Sequence, residues 1–245
     1  MASITGTRIL SGNDLYTPFT TLPSGYTIGD TAYGNGKTFR LALVGASALV
    51  MGNVLQSSVI DTSYTNMAVG TAALAGDNTI QITNGTATIT SQMFEGGSLS
   101  IYTAGTIAVG DEYTIMGVSG TLTTGGALVV NLDRPLRSAV TTSAKVNMRR
   151  SPSSGVIQSP ATTLTGTPAG VALFAAAAAT YCWIQTGGVG AALSDGSTIL
   201  VGSSISVPSG TAGAVILSSA GLPIIGYSMQ VAAAAKGIGV MLLIN

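Results

Sequence analysis

"TYCWIQTGGVG" (residues 180–190) carries the single tryptophan and the single cysteine of the 245-residue chain. Its reading separates a reactive site from a strand. Extended, the stretch places Tyr181, Trp183 and Gln185 on one face and Cys182, Ile184 and Thr186 on the other. A reactive cysteine needs a base or positive surroundings to become a thiolate. The nearest charge in sequence is Asp195, which has the wrong sign. The stretch reads as a strand, with Cys182 a small buried hydrophobe and Trp183 a core or subunit-interface anchor.

Working outward, the same pattern recurs. "NTIQITNGTATIT" (78–90) alternates, with Ile80 and Ile82 on one face. Asn84-Gly85 then predicts a type I′ hairpin, with Ala87 and Ile89 on the return strand. "SLSIYTAG", "DEYTIMGVSG", "GALVVNLDRPL" and "SAKVNMRR" alternate likewise, with Leu128, Val130, Leu132, Val146 and Met148 facing inward. "STILVGSSISV", "AGAVILS", "LPIIGYSM" and "GIGVMLLIN" are short apolar runs bounded by turns. "AAAAA" (175–179) is too short to sustain more than one helical turn. The expected class is all-β, with two small β-sandwich or barrel-like domains and an extended N-terminal arm. The arm covers 1–37, where turn formers recur, "GNGK" among them. Strands in 38–75 are expected to pack with the C-terminal domain. A central β-domain spans 76–150, a Pro/Ser/Gly-rich linker or loop 151–170, and the C-terminal β-domain 171–245. "LVMGNVL" (49–55), "IAVGDEYTI" (107–115) and "ILVGSSISV" (199–207) echo one another, each with a glycine leading into a strand. The pattern is loose and supports strands rather than a long repeat.

Charged residues make up 7% of the chain, against roughly 25% in an average globular protein. A membrane reading fails on length: "LALVGASALVMGNVL" (41–55) and "GVALFAAAAATYCWI" (170–184) fall short of the roughly 20 apolar residues a spanning helix needs. No charged segment followed by an apolar one, as in a secretory signal, is visible at the N-terminus. A chain with so few charges suits a fixed assembly. Formal charge sums to zero but is unevenly placed. Residues 1–133 hold eight acids and three bases, whereas 134–150 hold Arg134, Arg137, Lys145, Arg149 and Arg150 with no acid. That cluster reads as a solvated face or as a docking patch for an acidic protein surface, such as 1–133 of another copy. Nucleic acid is disfavoured, because aromatic platforms are missing nearby.

Histidine is absent, which removes the usual general base and metal ligand. One cysteine and scattered acids do not make a zinc site. Asp111 and Glu112 are adjacent, so on a strand they point to opposite faces. No catalytic residue, cofactor or metal is expected, and an enzyme ranks last among the readings.

The C-terminal pattern "YCWIQTGGVGAALSDG…ILVGSSISV…GAVILS…PIIGYSMQVAAAAKGIGVMLLIN" resembles structural proteins of tailed-bacteriophage heads. "FEGGSLSIYTAG…GDEYTIMGVSG…ALVVNLDRPLRSAV…SAKVNM…SPSSGVIQSP" is similar to their central β-domain. The likeness covers roughly 90–245. It implies a capsid decoration (cement) protein that coats the major capsid protein lattice from outside and stabilises the head. That reading brings with it a virion location after synthesis in the host cytoplasm. The expected partners are the major capsid protein and further copies of the chain, as a trimer or dimer, with no nucleic acid, membrane or small-molecule substrate. Trp183, Gln185, Thr186, Gly187, Gly226 and Tyr227 would be structural. The candidate protein-interface residues are Arg134, Arg137, Lys145, Arg149, Arg150 and Trp183. A head-fibre, tail or spike component, or a surface adhesin, shares the same composition and stands as the alternative.

Overall fold

The computed structural model describes residues 8–9, 14–85, 88–90, 92–103, 111–120, 123–232 and 234–244. The chain is nearly all β. In chain order, β1 (Arg8–Ile9), β2 (Thr31–Gly34), β3 (Lys37–Val44) and β4 (Val54–Gln56) come first. β5 (Met67–Thr71), β6 (Thr79–Thr83), β7 (Ser98–Thr103), β8 (Glu112–Gly120), β9 (Ala127–Leu132) and β10 (Ala144–Arg149) follow. Then come β11 (Ser154–Gln158), β12 (Pro168–Ala172), β13 (Tyr181–Ser194), β14 (Ser204–Ser206), β15 (Ala214–Leu217), β16 (Ile224–Ser228) and β17 (Gly237–Leu243). Among the described residues the helical segments are two short 3-10 turns, Asp14–Tyr16 and Thr62–Tyr64. The strands gather into two compact units, Ile60–Ser151 and Ser3–Val59 with Pro152–Asn245.

The first unit is a closed barrel in the order β10-β5-β6-β9-β8-β7. Alternation fills it: Ile80, Ile82, Ile115, Leu128, Val130 and Val146 all point inward. Phe94 joins them edge-on to Tyr64, ring centres 4.8 Å apart. The hairpin expected at Asn84-Gly85 does not form as read. β6 is paired along both edges, by β5 and by β9, which leaves no edge for a return strand. Asn84 instead closes the end of the β6–β9 ladder, its N–H donating to Gly126 O at 2.9 Å. Ile89 is buried without entering a strand, and Ala87 lies outside the described residues. β5 is a barrel strand, although its segment was expected to pack with the C-terminal strands.

The second unit is built twice over. β3 pairs in parallel with β11, and antiparallel pairings run on from β11 to β4, β12, β13 and back to β3. This closes a first circuit of five strands. β13 also pairs in parallel with β15, and antiparallel pairings run from β15 to β14, β16, β17 and back to β13. The second circuit repeats the first, with β13 shared: its first half faces β3 and its second half faces β17.

Hydrogen bonds recur at matching positions. The Leu49 N–H donates to Ala176 O at 2.8 Å, and the Ile199 N–H to Ala232 O at 2.9 Å. Val44 bonds Thr180 as Ser194 bonds Lys236. The cores correspond too: Ala42, Leu49, Leu55, Val156, Cys182 and Ile184 of the first circuit answer to Ala192, Ile199, Ile205, Val215, Ile238 and Val240 of the second. Cys182 thus stands where the other copy carries isoleucine, which is the hydrophobe's role read from sequence.

The barrel enters between β4 and β11. At the same point the second circuit has the short connection 207–213. β11 lies inside the stretch read as a linker, where it bridges β3 and β4.

Residues 14–37 lie on their own unit. Asn35 and Gly36 take φ of 51° and 72°, the two positive values of a type I′ turn, and fold β2 back along β3. Phe19 exchanges both backbone bonds with Tyr181 at 2.8 Å. Leu15, Phe19, Leu22, Tyr26, Ile28 and Ala32 thereby cover Phe39, Leu41, Tyr181 and Trp183. This part of the expected arm is a cover, because the apolar face of β3 and β13 beneath it would otherwise meet water.

Candidate interaction surface

The basic run is spread over the end of the barrel and is matched there by the barrel's own acids. Arg137 meets Asp111 at 3.0 Å and Arg134 meets Asp133 at 3.3 Å. Arg149 reaches Glu112 at 4.0 Å. Arg134 also bonds the Glu112 carbonyl and lies over the Tyr113 ring, 4.9 Å from its centre. Arg150 lies over Tyr64 and Phe94, and Lys145 is half-buried on β10. The Arg137 side chain is 83% exposed, so its pair is a solvated one of small energetic weight. Asp111, Glu112 and Asp133, three of the eight acids in residues 1–133, are therefore engaged locally.

Trp183 is 2% exposed and meets Tyr26 edge-on at 5.8 Å. It anchors the core of the second unit and presents no surface to a partner. Cys182 is equally enclosed, and burial pushes its thiol up to about 12. At neutral pH it holds its proton and is no nucleophile. Among the described residues, no three His, Cys, Asp or Glu side chains gather as a metal site would need. Among the same residues no helix is long and apolar enough to cross a membrane.

The surface that stands out was signalled by the glycine echo. Val50–Asn53 and Leu200–Ser203 are matching β-turns, each closed by a bond of 3.2 Å from the fourth N–H to the first carbonyl. Gly52 and Gly202 sit third, both at φ 79°, the value a type II turn requires at that position. Open space surrounds each glycine, so the backbone alone demands it. The turns raise Val50 and Met51 in one circuit and Leu200 and Val201 in the other, all more than half exposed. The neighbouring loop adds exposed alanines beside the first tip, and Met229 and Val231 beside the second. The third member of the echo, 107–115, falls partly outside the described residues, and its described part opens β8 of the barrel.

The first tip meets the end of the longest strand, where the Leu193 N–H donates to Gly52 O at 2.8 Å, and the second follows that strand's last residue, Ser194, in the chain. Compared with known protein families, curated proteins and solved structures, the chain matches none.

Proposed function

We propose that this chain is a non-enzymatic structural protein of a virus particle, binding the outside of the major capsid protein lattice and stabilising the head. The observation that carries the reading is the pair of equivalent apolar tips, Val50–Met51 and Leu200–Val201, in a chain with 7% charged residues. Exposed apolar side chains at the apex of tight turns do nothing for their own core and suit cover by another protein. A lattice offers the same site many times over. Two equivalent contacts on one subunit then reinforce each other, so each can be weak. Self-association into a trimer or dimer at a symmetry axis fits the same surface chemistry.

The test mixes the purified protein with empty shells of the virus that encodes it, pellets the shells and heats them beside undecorated ones. Saturable co-pelleting with a raised disruption temperature is the expected result. Met51→Asp combined with Val201→Asp removes co-pelleting while leaving the fold intact. Absence from the shells, with the protein in a tail or fibre fraction, overturns the decoration reading in favour of the alternative.

A further inference from the structure

The two circuits differ in one place that the hydrogen-bond pattern exposes. Along the second half of β13, Thr186 O accepts from Ile244 N–H and Ser194 N–H donates to Lys236 O. The even-numbered residues between them therefore bond β17, and the odd-numbered ones face the other side. On that side Gly187 pairs with Thr38 of β3 past a bulge, and the next bond is Leu193 N–H to Gly52 O at 2.8 Å. Between these points the ladder has a gap. Gln185 fills part of it, its Nε2 donating to the carbonyls of Gly187 at 3.1 Å and Val189 at 2.9 Å. Among the described residues nothing bonds the outward N–H of Val189 or the N–H and C=O of Ala191. These groups open onto an apolar groove of about 520 Å³ walled by Met51, Val171, Leu173, Val189 and Ala191, with Lys37 as its charged lining residue.

The first circuit displays what fits. Ala191 corresponds to Leu41, at the same register of the repeated ladder. The Leu41 N–H donates to Asp30 O at 2.9 Å, and Leu41 O accepts from Gly29 N–H at 2.8 Å. β2 continues that pairing to Gly34. The same edge is thus occupied by an extended segment in one circuit and empty in the other. Gly237, where the first circuit has Tyr181, leaves open space for an incoming side chain.

We propose that this groove takes an extended, largely uncharged segment of another protein, added antiparallel to Val189–Ala191 as β2 is added to β3. The proposal stands apart from the capsid reading, since any partner with such a segment satisfies it.

Amide exchange followed by NMR on the full chain is the test, with the peptide of residues 28–34, IGDTAYG, as probe. In the free protein the Ala191 amide exchanges on the order of a hundredfold or more faster than Leu41, as an open amide against one held in a ladder. Adding the peptide at millimolar concentration slows Val189 and Ala191 and leaves Leu41 unchanged. The same peptide N-methylated on alternate residues fails to do so. Ala191→Pro, which removes a groove-facing donor and none that bonds β17, abolishes the effect as well. Equal protection of Ala191 and Leu41 in the free chain overturns the proposal, as does a peptide without effect. Protection that rises with protein concentration alone assigns the groove to a second copy and overturns the choice of a different partner.

Discussion

On the first circuit Phe39, Leu41, Tyr181 and Trp183 form an apolar face sealed by residues 15–32. On the second, the same positions carry Val189, Ala191, Gly237 and Gly239, and no segment of the described chain lies over Val189 and Ala191, which are exposed. The inner faces match residue for residue while the outer faces have parted. A repeated core with unequal outer faces indicates that the interior sets stability and the exterior is free to differ. One copy spends its outer face on binding its own N-terminal segment, and the other leaves a backbone edge open.

The strongest way to break the equivalence is at two matched glycines. A Cβ on Gly226 would come within 2.0 Å of Met241 O, whereas one on Gly170 would meet Gln185 O at 2.9 Å and flexible carbons of Ile184. Gly226→Ala is expected to cost about 4 kcal/mol and Gly170→Ala about 2, since backbone yields less than a side chain. Denaturant midpoints check both. A smaller loss at Gly226 would mean that β16 and β17 part easily and that the second circuit is the softer.

Core truncation asks whether the copies melt together. Leu49 and Ile199 are both buried and both bridged to an alanine loop. Leu49→Ala and Ile199→Ala should each cost about 3 kcal/mol. Because β13 runs through both circuits, each variant should shift one shared transition. Two separate transitions in calorimetry would show that the circuits unfold independently.

A third difference is chemical. Cys182 has a thiol held up at about 12 by burial, while its counterpart Ile238 cannot ionise. The folded chain keeps that proton where the unfolded chain releases it. The resulting stability is complete below the thiol's ordinary range and is lost as pH rises toward 12. The slope is at most about 1.4 kcal/mol per pH unit. Cys182→Val should flatten this alkaline loss in pH-dependent melting without lowering stability at pH 7.

Much of this was legible from period alone. Alternation gave β6, β8, β9 and β10, and the strand over Tyr181–Gln185 followed from the lack of any base near Cys182. The echo of "LVMGNVL" and "ILVGSSISV" located both tips, because a type II turn writes its glycine into the sequence. The duplication was hidden for a physical reason. "GVALFAAAAAT" (170–180) and "GYSMQVAAAAK" (226–236) share a bulge glycine and an alanine run, but alanine runs read as weak helix rather than as a bridged loop. Asn-Gly turns misled in one case and not the other. Asn35-Gly36 makes a hairpin because β3 has a free edge to receive β2, while Asn84-Gly85 follows a strand already paired on both sides. Edge availability is a tertiary property that no local pattern carries. Of the residues named from charge, Arg134, Arg137 and Arg149 pair with acids of their own barrel, and a run of arginines cannot announce that its acids fold onto it.

The smallest expected effect sharpens the comparison most. Met51→Ser and Val201→Ser remove side chains that are 68% and 62% exposed, each just before the turn's positive-φ glycine. Each should change stability by less than about 0.5 kcal/mol, and thermal melting of the double variant should superimpose on wild type. Both copies nonetheless carry apolar residues at that apex, although their outer faces elsewhere have diverged. If stability is indifferent to these residues, their shared character answers to something outside the chain, and the variants should lose association while keeping the fold. A double variant that melts several degrees lower would instead make the tips part of the core's own packing, and the twin apolar turns would cease to argue for a partner.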